Sequence, residues 1–320
     1  MSYYANVENW YGNHLVIERD VRFVDYNSVN PDGAGKTWDT AFHTIQAAVD
    51  AVDQGGVVVV KGKNMAVTDT DPVSYAEVLS ITTPQIRLLG IGGRAQANIP
   101  QVKMGSGSTA LCTIAAPGVT IENMGFNGSG STGGGILLDD DGGTSKVAAG
   151  AAILSCHFKN CVGSTATNAA TGGAIQWAAT GNAWQVLIKG NRFYKNVGDV
   201  VLLGTTGSVP QDVVIEDNVF SGPATNVDCN LYLAGGSGMN GVIIRNNVFS
   251  AIPAIDSGTN AKMLSLTGCV GILANNYFAC EDGHTFGAAG DELVPTTVFM
   301  SGNYSEKAAA QVANGDIARA

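Results

Sequence analysis

The amino-acid sequence predicts an all-β fold of the solenoid type, a parallel β-helix with an α-helix that caps its N-terminal end. Three observations support this prediction. A short strand-like motif that ends in asparagine, one variable residue and an aromatic residue recurs through the second half of the chain. Before the repeats begin, one stretch shows the apolar spacing of a single amphipathic helix, and the repeat units themselves have turn-rich, strand-like patterns.

Four segments define the repeat. They are "WQVLIKGNRF" at 184–193, "DVVIEDNVF" at 212–220, "GVIIRNNVF" at 241–249 and "GILANNYF" at 271–278. The repeat continues into "VFMSGNYS", and its aligned asparagines are Asn191, Asn218, Asn247, Asn276 and Asn303. They recur at intervals of 27 to 29 residues, and self-similarity at such a period is the signature of a solenoid.

Each repeat unit contains two or three short apolar runs, separated by turns rich in glycine, asparagine and aspartate. Degenerate earlier units end at Phe126 and Phe158, where Met124 and Cys156 replace the asparagine. Short strands and tight turns without repeating helices indicate a parallel β-helix. With coils stacked at about 4.8 Å, roughly nine coils would form a rod a little over about 40 Å long.

The N-terminal end of the solenoid is predicted to be covered by a helix over residues 37–54. Apolar residues in this stretch recur at helical spacing, at Trp38, Phe42, Ile45, Val49 and Val52. Thr37 is a candidate N-cap, and Gly55-Gly56 would end the helix. The predicted organisation is an N-terminal arm or attachment segment (1–36), a β-helix with its capping helix (37–305) and a C-terminal helix or tail (306–320).

Composition excludes several classes of partner and location. The chain has 17 Lys+Arg against 27 Asp+Glu, a net charge of −10, and no basic cluster, so no nucleic-acid partner is expected. It has no apolar stretch of about 18–20 residues, so no membrane insertion is expected. The first residues lack the features of a signal peptide. We therefore expect synthesis in a cytoplasm, with the six cysteines as free, buried thiols.

The opening of the chain resembles that of a known superfamily. The segments "RDVRFVDYNSVNPDGAGKTWDTAFHTIQAAVDA", "YAEVLSI" and "IRLLGIGG" are similar to those of pectate-lyase-like right-handed parallel β-helix proteins, and the Asn-x-Phe coils look like their repeats. The resemblance spans about residues 20–305 and implies a single-stranded, right-handed parallel β-helix. This architecture occurs in lyases, hydrolases, esterases and phage tailspike or capsid-decoration proteins alike, so it leaves the activity open.

Register in such a solenoid places equivalent positions of successive coils above one another. Two residues before the asparagine, Lys189, Glu216 and Arg245 should point outward. The carboxylate of Glu216 should then attract the oppositely charged residues on the coils before and after it. Glu216 is therefore interpreted as part of an ion ladder rather than as a catalytic acid, and Asp217 as a turn residue or a ligand. The asparagines are predicted to form a structural ladder of hydrogen bonds along the turns.

Four residues before the asparagine, the chain should again face outward, yet this position is apolar. It holds Leu187, Val214, Ile243 and Ile272. Each large aliphatic side chain left in water forgoes about 1.5–3 kcal/mol of burial, so the column is predicted to be an interface with another subunit. The C-terminal helix is the competing cover. The resemblance to phage spikes implies a homotrimer, whereas the column alone leaves the symmetry open.

Two acidic segments are the candidates for chemistry. One is Asp139, Asp140 and Asp141; the other comprises Glu281, Asp282, His284 and Asp291. Carboxylates could bind an ion or act as a glycosidase pair, but a solvated turn and a surface loop are the favoured interpretations. The catalytic motifs of polygalacturonases, pectate lyases and pectin esterases are missing, so the resemblance transfers no catalytic residue. Neither a metal nor another cofactor is expected.

The favoured function is that of a non-enzymatic virion structural protein, a β-helical decoration or spike on a phage capsid or tail. Its expected partners are further copies of itself, other virion proteins such as the major capsid protein, and a host-surface polysaccharide. It would be made in the host cytoplasm and lie on the virion surface. The alternatives are a polysaccharide lyase or glycoside hydrolase, as in a tailspike depolymerase, and a carbohydrate-binding adhesin.

Overall fold

The computed structural model describes most of the chain between residues 20 and 311. The described residues are 20–30, 33–63, 73–92, 99–104, 107, 110–129, 133–139, 148–161, 173–177, 184–204, 209–221, 229–234, 238–250, 262–279, 286–287, 292–307 and 310–311. Within them the chain winds into three sheets of short parallel strands with one short α-helix. The predicted parallel β-helix is confirmed. None of the described helices is long and apolar enough to span a membrane.

Sheet A contains one strand from each successive coil. Its strands, in spatial order, are β1 (Val21–Val24), β2 (Val57–Lys61), β5 (Arg87–Ile91), β8 (Thr120–Glu122), β11 (Ala152–Leu154), β14 (Leu187–Lys189), β17 (Val214–Glu216), β20 (Met239–Arg245), β23 (Cys269–Ala274) and β27 (Val298–Ser301). All neighbours are parallel, and one bulge, between Asn240 and Val242, interrupts the register of β20 with β23. β1 lies within the predicted N-terminal arm, so the stacked strands begin before residue 37.

Sheets B and C complete each coil. Sheet B consists of β3 (Ser74–Tyr75), β6 (Gln101–Val102), β9 (Gly125–Asn127), β12 (His157–Lys159), β15 (Arg192–Tyr194), β18 (Val219–Ser221), β21 (Val248–Ser250), β24 (Tyr277–Ala279), β28 (Tyr304–Lys307) and β29 (Ala310–Gln311). Sheet C consists of β4 (Leu79–Ile81), β7 (Cys112–Ile114), β10 (Ile136–Leu138), β13 (Ile175–Trp177), β16 (Gly198–Leu203), β19 (Cys229–Ala234), β22 (Lys262–Ser265), β26 (Glu292–Leu293) and β25 (Phe286–Gly287).

The core is a set of vertical columns inside the coil. One column is the aromatic residue of the repeat, which comprises Phe126, Phe158, Phe193, Phe220, Phe249 and Phe278. Neighbouring rings are stacked with centroids 4.7–5.2 Å apart, close to the spacing of strands in a sheet. All six rings are buried. The repeat therefore keeps an aromatic residue at this position because each ring packs on the ring of the next coil.

The turn from sheet A to sheet B requires a left-handed backbone at one residue per coil. This position holds Asn123, Ser155, Gly190, Asp217, Asn246, Asn275 and Gly302, with φ between 52° and 69°. Glycine, asparagine and aspartate tolerate this conformation best. The N–H of Asp217 donates to the carbonyl oxygen of Arg245 in the next coil, at 3.3 Å. Asp217 is thus a turn residue.

The predicted helix over 37–54 is wrong in its extent. A 3₁₀ turn covers Trp38–Thr40, and the α-helix, α1, covers only Ile45–Ala51. Between them Phe42 is extended, because its N–H and carbonyl oxygen form hydrogen bonds with Phe23 and Asp25 beside β1. His43, predicted within the helix, precedes it and bonds the carbonyl oxygen of Ser28 through Nε2 at 3.0 Å. Sheet pairing at the edge of β1 therefore takes precedence over helical spacing.

Helix α1 starts at Ile45 because two side chains satisfy its first N–H groups. Thr44 Oγ1 accepts from Ala47, and the Glu77 carboxylate accepts from Ile45 at 2.8 Å and Gln46 at 2.9 Å. Its buried residues, Ile45, Ala48 and Val49, belong to the same apolar core as the first coils. That the helix closes the end of the solenoid remains a prediction.

The predicted C-terminal helix is also wrong where the structure describes this segment. Tyr304–Lys307 forms β28, which continues sheet B in register with β24, and Ala310–Gln311 forms β29, antiparallel to β28. Residues 308–309 and 312–320 lie outside the described part. The turn at Asn303 delivers the chain to the open edge of β24, and backbone pairing there outweighs the helical propensity of a short alanine-rich segment.

Candidate functional site

The outer face of sheet A carries a straight apolar column. Its members are Leu187, Val214, Ile243, Ile272 and Phe299, aligned in register on β14, β17, β20, β23 and β27. The next residue of the first four strands, Ile188, Ile215, Ile244 or Leu273, is buried in the core. Because side chains alternate along a strand, the column points away from the core. We call these five residues the apolar stripe.

Exposure increases along the apolar stripe towards the C-terminal coils. Leu187, Val214 and Ile243 are half-buried by their neighbours, whereas Ile272 is 42% and Phe299 67% exposed. Val270, which shares the outward side of β23 with Ile272, is also exposed. Contiguous large apolar side chains in water are uncommon on a monomer and typical of a contact surface.

Sequence reasoning identified four members of the stripe and missed Phe299. The signal was present, because Phe299 lies four residues before Asn303, as Ile272 lies four residues before Asn276. The register of β23 with β27 pairs Ile272 with Phe299 directly. The most exposed member of the stripe therefore belongs to the last coil that carries the asparagine.

Beside the apolar stripe lies a column of charged residues centred on Glu216. Its Oε1 accepts from Lys189 Nζ at 2.8 Å and its Oε2 from Arg245 Nε at 2.6 Å. The hydrogen bond from Lys189, followed by that from Arg245, holds the pKa of Glu216 below its ordinary value, although partial burial acts in the opposite direction. A carboxylate held ionised between two cations is unsuited to donate a proton near neutral pH.

The five asparagines of the repeat lie one above another at the corner between sheets A and B. Each of the first four donates from Nδ2 to Oδ1 of the next at 2.9–3.0 Å, and that same oxygen accepts the backbone N–H of the donor residue. Each Nδ2 also donates to the carbonyl oxygen of a residue in the preceding coil, such as Ile188 for Asn218 at 2.9 Å. All five side chains are buried. Their side-chain amides form hydrogen bonds with the backbone and with one another, which is a structural role.

Two buried cysteines take the place of an asparagine at corners of the coil. Cys156 stands in the column of the asparagine ladder, and Cys161 stands one coil before Asn196, after sheet B. The backbone N–H of Cys156 donates to Asn191 Oδ1 at 2.8 Å, and that of Cys161 donates to Asn196 Oδ1 at 2.9 Å. The five cysteines that the structure describes are buried and form no disulfide with one another. Burial raises the pKa of Cys156 and Cys161 to about 12. These thiols therefore stay protonated and are inert as nucleophiles.

Of the two acidic segments predicted as candidates for chemistry, the structure describes Asp139. Asp139 follows β10, is half-buried, and donates its backbone N–H to the carbonyl oxygen of Ile114 at 2.8 Å. The others, Asp140, Asp141, Glu281, Asp282, His284 and Asp291, lie outside the described residues. In the described part of the chain, no three acidic, histidine or cysteine residues are grouped so that they could hold a metal ion.

Comparison with known proteins gives similarities of backbone only. No protein-family model matches the chain. No curated protein sequence matches it either. Among solved structures, the surface adhesin PfbA of Streptococcus pneumoniae is similar at 12% identity and a TM-score of 0.43, over 90% of this chain and 79% of the adhesin. A pectin methylesterase from carrot is similar at 12% identity and a TM-score of 0.41, over 94% and 87%.

A viral protein is also similar. It is ORF18 of Geobacillus virus E2, at 14% identity and a TM-score of 0.35, over 90% of this chain and 61% of the viral protein. These three similar proteins are an adhesin, an enzyme and a phage protein. At such identities and TM-scores, the similarities assign no activity, ligand or assembly to this chain.

Proposed function

We propose that this chain is a non-enzymatic structural protein of a bacteriophage particle, a β-helical decoration or spike that assembles with copies of itself through the apolar stripe. The single observation that supports this best is the exposure of Ile272 and Phe299 at the end of an uninterrupted apolar column. Its location on the particle, capsid or tail, rests on the resemblance of the sequence to phage spike and decoration proteins.

A second copy of the chain is the occupant that fits the stripe best. The five members follow one another at the strand spacing of about 4.8 Å, so the stripe is straight and roughly 20 Å long. Another copy presents the same column at the same spacing, and two such columns can pack along their full length. Covering Phe299, the most exposed member, would contribute at most about 1.5–3 kcal/mol, and the members that are already partly buried would contribute less. A homotrimer is the assembly that the resemblance favours.

The mass of the protein in solution tests the assembly. We expect wild-type protein to be an oligomer by light scattering and Ile272→Glu to dissociate it, because the new carboxylate would be buried without a partner. The matched control is Val29→Glu, which introduces the same charge at an aliphatic residue that is 78% exposed and lies outside the stripe. A wild-type monomer, or an Ile272→Glu protein of unchanged oligomeric mass, would contradict the assembly.

Two further measurements test the structural role. Purified protein incubated with a panel of bacterial polysaccharides should release neither reducing ends nor unsaturated sugars. Release of either would identify a depolymerase instead, and binding without release would identify an adhesin. Mass spectrometry of purified particles of the phage that encodes the chain should detect it. Its absence from the particle would refute the proposal even if the protein is an oligomer.

A further inference from the structure

A buried carboxyl group joins two adjacent coils near the N-terminal ends of their sheet C strands, β16 and β19. Asp199 lies on β16, and its Oδ1 accepts from Asn196 Nδ2 at 2.9 Å. Its Oδ2 accepts from Asn230 Nδ2, on β19 of the next coil, at 2.7 Å. All three side chains are at least 96% buried, Asn230 being the most exposed at 4%. Asp199 is therefore a carboxyl group that two amides hold away from solvent.

The two amides differ in how firmly they are held. Asn196 accepts the backbone N–H of Cys161 through Oδ1 and also donates to the carbonyl oxygen of Phe158, at 3.3 Å, so its orientation is fixed. Asn230 can present either its NH₂ group or its carbonyl oxygen to Asp199, because the two ends of an amide are exchanged by a half-turn of its terminal torsion. The cluster can therefore bond an ionised carboxylate, and also a protonated one that donates to Asn230.

In the part of the chain that the structure describes, no charged side chain neutralises Asp199. Among the described residues, the Cys161 thiol interacts with it, and the pKa of this thiol is raised mainly by burial, with a contribution from the charge of Asp199. Lys159 follows the inward-facing Phe158 on β12 and so points to the other side of that strand, where it is 5% exposed; its charge does not contribute to the pKa shift of Asp199. In the described residues, Asp199 forms no salt bridge. An ionised carboxylate without a cation is costly in such surroundings.

Burial raises the pKa of Asp199 to about 7, and the hydrogen bonds from Asn196 and Asn230 limit the rise. A group whose pKa is raised on folding contributes stability below its unfolded pKa, and this stability is lost as the pH rises through the folded value. We propose that the Asn196–Asp199–Asn230 cluster is a pH-sensitive contact, in which Asp199 takes up a proton on acidification and then holds the coils of β16 and β19 together more firmly.

The test compares wild-type protein with Asp199→Asn, in which a neutral side chain of the same shape replaces the carboxyl group. Hydrogen exchange of peptides that cover β16 and β19 is measured at pH 8 and pH 5 and corrected for the intrinsic exchange rate. Wild-type protection should increase on the order of ten- to hundredfold at the lower pH, whereas Asp199→Asn should not show this increase. The control Asp53→Asn, at an exposed carboxylate, should behave like the wild type.

Equal pH dependence in wild type and Asp199→Asn would overturn the proposal. A second measurement covers the case in which Asp199→Asn fails to fold. In wild-type protein labelled with ¹³C at the aspartate carboxyl carbon, one resonance should titrate near pH 7, well above the ordinary range for aspartate of about 4. If every aspartate resonance titrates in the ordinary range, the proposal is wrong.

Discussion

The side-chain amide of Asn218 donates to Oδ1 of Asn247, one coil further on, at 3.0 Å. These residues are 29 positions apart in the chain and are vertical neighbours in the fold. Each coil that has the asparagine adds one member to the same vertical ladder. The repeat period of the sequence is therefore the length of one coil of the solenoid. The contact also fixes which side chains of sheet A point inward and which point outward.

Replacing Asn218 should destabilise the solenoid severely. Asn218→Ala leaves the backbone N–H of Asn191 and the carbonyl oxygen of Ile188 without their partners, at a cost of about 2–5 kcal/mol. Denaturant unfolding measures the loss. Asn246→Gly is the matched control, since Asn246 lies in the equivalent turn of the next coil with φ of 57°, which glycine adopts freely. Equal losses in both variants would contradict a structural role for the ladder.

The aromatic column should contribute to the stability of the fold about as much as the asparagine ladder does. Phe249→Ala removes a ring stacked 4.7 Å from each of its neighbours Phe220 and Phe278, and the cavity should cost about 3–5 kcal/mol in unfolding free energy. Val248→Ala, on the same strand but 36% exposed, should change stability by less than about 0.5 kcal/mol. A small effect of Phe249→Ala in the same denaturation experiment would show that the coils do not depend on the stack.

The turn conformation of Asp217 predicts an unusual pattern of substitutions. Because its φ is 58°, a β-branched residue is strained there, and Asp217→Val should cost about 1–2 kcal/mol in thermal or denaturant unfolding. Asp217→Gly should be neutral or stabilising, since Asp217 Oδ2 lies 3.4 Å from Lys189 Nζ and an ion pair between two exposed side chains contributes little. Loss of stability in the glycine variant equal to that in the valine variant would indicate that Asp217 is held for another reason.

The ion pairs of Glu216 should be visible as acid sensitivity. Its pKa is lowered on folding, so the stability that it contributes is present above the ordinary pKa of glutamate and is lost as the pH falls through the lower, folded value. Melting temperatures measured between about pH 6 and pH 3 should fall less steeply for Glu216→Gln than for wild type. High salt should reduce the difference between the two proteins. Parallel pH profiles would contradict this account.

Much of the fold could be predicted because the recurring asparagine marks the equivalent position in each coil, and this fixes the register between neighbouring strands of sheet A. Aligning the asparagines of the sequence is sufficient to place Glu216 beside Lys189 and Arg245, and Val214 beside Ile243. The helix boundaries could not be predicted in this way. Phe42 has helical spacing, but the edge of β1 offers its backbone a partner that a sequence pattern does not reveal.

The Asn196–Asp199–Asn230 cluster was missed for a different reason. Asp199 and Asn230 occupy matching positions on β16 and β19, between the paired positions Gly198↔Cys229 and Val200↔Leu231. Asp199 follows Asn191 by 8 residues, whereas Asn230 follows Asn218 by 12, so an alignment on the repeat asparagines does not bring them together. Only the structure shows that Asp199 and Asn230 meet across adjacent strands. The loops before the sheet C strands differ in length from coil to coil, so the register of sheet C cannot be read from the asparagine repeat.

The measurement that tests the central claim most directly is the molar mass of the wild-type protein in solution, followed over a dilution series. If the apolar stripe from Leu187 to Phe299 is an interface between copies, the mass should be a multiple of the 32.9 kDa of the single chain, three times that mass for the homotrimer that the resemblance implies, and should persist on dilution into the nanomolar range. A constant mass of one chain at every concentration would contradict the account.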